Sequence, residues 1–136
     1  MNNLQEFIFW SEKIKPEIEH IHSILSQKLS SEPEELISNL QEIEAWNSRA
    51  GALLAQANSW LDRYKLIAMP AKEESKSETD RKLQLDKEVA PIRLVRDTLE
   101  HFCDSIKQRL ILGESILAYF RAQYTEHKSK ELEKIY

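Results

Sequence analysis

Residues 32–69 read EPEELISNLQEIEAWNSRAGALLAQANSWLDRYKLIAM, with a single proline at the second position. Leu36, Leu40, Ile43, Asn47, Ala50, Leu54, Ala57, Leu61, Tyr64 and Ala68 follow one another in alternating steps of four and three. That alternation is the heptad seam of a long helix, with Asn47, Leu54, Leu61 and Ala68 at a. A second stripe, Trp46, Leu53, Trp60 and Ile67, repeats every seven residues at g. The apolar face is therefore three positions wide, which asks for at least two neighbouring helices. An uninterrupted helix of about 36 residues here would be a rod of about 54 Å rather than part of a ball.

The flanks of this stretch punctuate it. In Ser30-Ser31-Glu32-Pro33-Glu34, Ser31 can cap the helix, Glu34 completes a capping-box spacing, and Pro33 stands where a missing N–H costs nothing. Pro70 ends the helix. The polar run Ala71-Lys72-Glu73-Glu74-Ser75-Lys76-Ser77-Glu78 has no apolar periodicity, so 70–79 is expected to be a solvated, mobile linker. Thr79 or Asp80 can cap the next helix.

Two further helices are expected on either side. Over 3–30, Leu4, Phe7, Ile8, Ile14, Ile18, Ile21, Leu25 and Leu29 keep a helical spacing, interrupted by Pro16, which implies a kink or a break. Over 80–133, Ile92, Val95, Leu99, Phe102, Ile106, Ile116 and Phe120 form a seam flanked by Cys103, Leu110, Leu117 and Tyr124, with a kink expected near Pro91. Arg109 and Gly113 stand at seam positions where apolar residues would be expected. Beyond Tyr124 the pattern weakens, and the helix end is expected to protrude or fray. Together these segments predict one all-α domain over 1–136. It is an elongated three-helix bundle built on a long antiparallel hairpin, with the N-terminal helix kinked near Pro16.

Composition agrees with this. The 136 residues include 2 Gly and 4 Pro, too few for the turn-rich all-β or doubly wound α/β classes. One cysteine precludes an intrachain disulfide and fits a reducing compartment. The N-terminus has no secretory pattern, and no apolar run approaches the ~20 residues of a membrane span. A soluble cytoplasmic protein without membrane contact is the expectation. The formal charge of −4 argues against a dominant nucleic-acid surface, although residues 81–136 carry 11 basic against 9 acidic side chains.

Catalytic patterns fail one by one. Glu17-x-x-His20 and Glu19-x-x-His22 have the spacing of di-iron bundle ligands, but no second copy accompanies them, so a solvated face is expected. His101 and Cys103 are two apart and fall on different helix faces. Two glycines cannot make a phosphate loop. The Glu-Glu-x-x-Glu of helical magnesium pyrophosphohydrolases is missing, because Ser38 follows Glu34-Glu35-Leu36-Ile37. No enzyme, metal, cofactor or small-molecule substrate is evident.

What remains is a non-catalytic protein–protein interaction or scaffold module, self-associating or binding a foreign protein through apolar helix faces. Phe9, Trp10, Trp46, Trp60 and Tyr64 are the candidate contacts, tryptophan being enriched at interfaces, though each could equally be internal core. The alternative is a nucleic-acid-associated accessory protein using Arg93, Lys107, Arg121 and Lys128, which share a stripe with Glu100 and Glu114. In overall style the chain resembles small helical proteins encoded by bacteriophages and mobile elements, a likeness that carries no residue over. Asn47 is expected to pair with Arg109 or Asp104 across the hairpin.

Overall fold

A computed structural model describes residues 3–68 and 77–135. Three helices account for nearly all of them: α1 (Asn3–Ser26), α2 (Pro33–Ala68) and α3 (Glu78–Ile135). No strand occurs among the described residues. The chain is an all-α bundle, as its heptads imply. The helix runs unbroken through Pro16 in α1 and through Pro91 in α3, so neither proline divides its segment. Most of the linker expected over 70–79, and Met69 before it, lie outside the described residues.

The helix ends differ from their sequence-based placement, for local reasons. α1 stops at Ser26, four residues before the expected limit, where the Ser26 hydroxyl donates to the His22 carbonyl (2.7 Å). α2 begins at Pro33. Glu32 takes the capping position and its carbonyl accepts from the Leu36 N–H at 2.8 Å, which displaces Ser31 from that role. Ser30 braces the turn instead. Its hydroxyl accepts from the Glu32 N–H and donates to Glu35, while its own N–H donates to the Asn39 side chain. α3 begins two residues early because Ser77, rather than Thr79 or Asp80, is the cap. Its hydroxyl accepts from the Asp80 N–H (3.2 Å) and its carbonyl from the Arg81 N–H.

α2 and α3 approach each other most closely, with α1 laid along them. Their seam uses small residues where the backbones come together: Ala50 and Ala57 are fully buried, and Leu40 packs directly on Gly113. The hairpin is antiparallel, for at the other end Leu61 clusters with Val89 and Ile92. Phe7 joins that same cluster, while Ile21 and Ile24 join Ile43, Phe102 and Ile106. So α1 runs against α2 and with α3. No polar or charged residue is buried among those described.

One antiparallel register fixes α1 on α2. Trp10 donates its indole N–H to Gln56 (2.9 Å), Glu17 holds Arg49 through two oxygens (2.9–3.1 Å), and the His20 ring lies 4.7 Å from that of Trp46. Steps of seven and then three along α1 match steps of seven and then three back along α2.

The bundle is uneven in length. With Leu40 level with Gly113, Pro33 at the start of α2 comes level with Phe120. Residues 121–134 are exposed without exception. At 1.5 Å per residue, α3 runs on for about 22 Å past the end of its partner, as a helix carrying its own ion pairs, His127–Glu131 and Glu126–Lys130.

Leu53, on the g stripe, is fully buried, whereas Leu54 on the expected seam is half-buried. Leu53→Ala is expected to cost about 2–5 kcal/mol. Leu54→Ala is expected to cost less, the order being read from urea midpoints. The two glycines make a sharper pair. A Cβ at Gly51 would meet open space, so Gly51→Ala should stabilise by about 0.5–1 kcal/mol through helix propensity alone. A Cβ at Gly113 would overlap the Leu40 side chain, with Leu40 Cγ only 2.9 Å away. Gly113→Ala should therefore turn that gain into a loss of about 1–3 kcal/mol of overpacking, measurable in the same denaturation series.

Candidate functional site

Four of the five aromatic contact candidates belong in part to the bundle itself. Trp10 and Trp60 lie 6.2 Å apart, each also about 6 Å from the buried ring of Phe7, and Tyr64 packs against the same cluster. Arg63 covers the Trp60 ring at 5.2 Å. Trp46 packs against the larger core cluster and against His20. All four are half-buried. Phe9 differs: it is 63% exposed on the outer side of α1.

The broadest exposed apolar surface lies elsewhere, on α3 between residues 111 and 124. Ile111, Leu112, Tyr119 and Tyr124 are each more than half exposed. Over these fourteen residues the only charged side chains are Glu114 and Arg121, in a chain that is 31% charged. Leu112, Ile116 and Tyr119 form one stripe, and Ile111, Ser115, Ala118 and Ala122 form the next. Geometry explains the exposure. α1 has already ended at this height and α2 is ending, so apolar positions that would otherwise be covered face outward. Tyr124, on the flanking stripe of Cys103, Leu110 and Leu117, stands one turn past the level at which α2 starts. A sequence reading focused on tryptophan missed this patch, and the signal available was the charge-poor run itself.

The titratable candidates are mostly engaged in structure. Glu19, His20 and His22 are exposed, as a solvated face requires, and on that face Glu17 pairs with Arg49 and the His20 ring with Trp46. Among the described residues no three His, Cys, Asp or Glu side chains come together as a metal-binding group would require. His101 is exposed and Cys103 buried, on separate faces. Arg109 does not reach Asn47: its Nη1 donates to the Gln27 carbonyl, capping the end of α1, which has no basic residue in its last turn. Of the basic stripe, Arg93 is held by Asp86 at 3.1 Å and Lys128 lies over Tyr124 at 5.8 Å, while Lys107 and Arg121 are exposed. No helix among the described residues is long and apolar enough to cross a membrane.

No family model matches the chain, and neither a curated protein nor a solved structure matches it. Nothing therefore comes to this chain from a relative.

Burial pushes the Cys103 thiol up from its ordinary value, and the Lys107 ammonium only partly opposes the effect. A raised thiol pKa means less thiolate at neutral pH, and the thiolate is the reactive form. Cys103 is expected to react with an aromatic disulfide reagent at least about tenfold more slowly in native protein than in denaturant. A rate equal to that of a free thiol would place Cys103 outside the core.

Proposed function

We propose that this protein is a non-catalytic interaction module that associates with itself through apolar helix surface, chiefly residues 111–124 of α3, with Phe9 a separate exposed contact toward the other end of the bundle. The supporting observation is the exposed apolar band itself. A helix that carries two charges in fourteen residues, yet packs along only one side, leaves tyrosine and branched aliphatic side chains in water. Such patches on soluble proteins mark interaction sites. Tyrosine adds area at small cost in rotamer entropy and is enriched at interfaces. Trp10, Trp46, Trp60 and Tyr64 support the band indirectly, by holding the bundle that presents it.

The nucleic-acid reading has weaker support. Its stripe interleaves acidic residues, Arg93 is already paired, and the end of α3 mixes both signs of charge.

Light scattering on the eluting protein should give a mass that is a multiple of 16.0 kDa. The variants Ile111→Glu and Tyr119→Glu, both at exposed positions, should return it to a single chain without loss of helicity. A wild-type monomer at every concentration up to the millimolar range would refute self-association. Dissociation by added salt, with excess absorbance at 260 nm, would favour nucleic acid.

A further inference from the structure

A recess of about 750 Å³ opens between the last turns of α1, the connection to α2, and the middle of α3. Leu25, Phe102 and Leu112 contribute apolar surface to it. The ionisable side chains that line it are His22, Lys28, His101 and Arg109, and no acidic residue is among the lining residues. The chain as a whole carries 23 acidic against 19 basic residues, so this stands out from the protein's average surface. The carbonyls at the end of α1 would oppose an anion if left open. Three of them are engaged: His22 by the Ser26 hydroxyl, Ile24 by the Gln27 N–H, and Gln27 by Arg109. The His22 ring lies 6.3 Å from that of Phe102, so imidazole and apolar surface are adjacent. A volume in this range, apolar with a few polar groups of one sign, suits a small organic ligand.

We propose that this recess binds an amphipathic monoanion, an aromatic or medium-chain carboxylate, with its apolar body against Leu25 and Leu29 and its carboxylate toward Lys28 and Arg109. Charge complementarity selects the anion: two permanent cations, Lys28 and Arg109, line the recess, and no carboxylate is among the lining residues. Leu25 and Leu29, both half-buried at the recess, offer apolar surface that an inorganic anion cannot use. Arg109 has a structural bond to Gln27, so it is not the residue to change. Lys28 and His101 are exposed, and their replacement leaves the core untouched.

The test is amide-resonance titration of the whole chain with octanoate, with 1-octanol and sulfate in parallel. Octanoate should shift the resonances of residues 22–29 and 101–112 saturably at millimolar concentration. The double variant Lys28→Glu, His101→Glu should bind it about five- to tenfold more weakly, with unchanged helicity. Octanol and sulfate should each bind more weakly than octanoate. The proposal is overturned if octanoate gives no saturable shift, if octanol binds as well and the charge variant changes nothing, or if shifts appear only at 113–124. The mass of the Tyr119→Glu variant is read separately, so loss of self-association and loss of anion binding are told apart.

Discussion

Leu40 fills the space that Gly113 leaves, and that close fit sets the register of α2 against α3 where the two helices meet. With Ala50 and Ala57 fully buried farther along, the two backbones run close enough for a continuous apolar interface. Interiors at crystal-like density do not tolerate gaps or overlaps, so a side chain at 113 would press on Leu40 and a smaller one at 40 would leave a void at that level. The register at that point also sets where α2 ends against α3. It therefore determines which residues of α3 emerge into solvent, and the exposed band is a product of the same fit.

α1 is placed by a different kind of interaction. Its core residues are apolar, but its position along α2 is specified by three polar or aromatic pairs that share one register. The Glu17–Arg49 pair is partly solvated and contributes little to stability on its own. Its value is directional, because sliding α1 by one turn would break the indole–amide bond, the ion pair and the ring contact together. Arg109 adds a fourth restraint from α3, holding the chain at the end of α1 through the Gln27 carbonyl. Non-directional burial holds the helix down, and these contacts choose where it lies.

The three-helix architecture was readable because heptad spacing survives translation into structure almost unchanged. Leu36, Leu40, Ile43, Ala50, Ala57 and Leu61 are all buried, as their spacing implies. The width of the face was legible too, although Leu53 rather than Leu54 lies deepest. Pairings between helices were not legible, because they depend on register, and small residues such as Gly113 set register without announcing a partner. Asn47 and Arg109 show the cost: close in level for an ideal hairpin, they are separated because the end of α1 takes the guanidinium. The caps expected at Ser31 and at Thr79 or Asp80 stand instead at Glu32 and Ser77, because several neighbouring residues can cap and only the path of the chain selects among them. The exposed band was hidden for a related reason. A sequence shows that Ile111 and Tyr119 are apolar, but not that α1 stops short of them.

The three tryptophans of the chain all lie along the line where α1 meets α2, with the rings of Phe7 and His20 and the amide of Gln56 as neighbours. None faces the closely packed seam of α2 with α3 at the level of Gly113. Intrinsic fluorescence is thus a local reporter: its emission maximum tracks the docking of the first helix, while dichroism at 222 nm is dominated by the two longer ones. If the first helix detaches before the hairpin opens, the two signals will part company along a denaturation curve, and the chain will resolve its own order of disassembly without an added label.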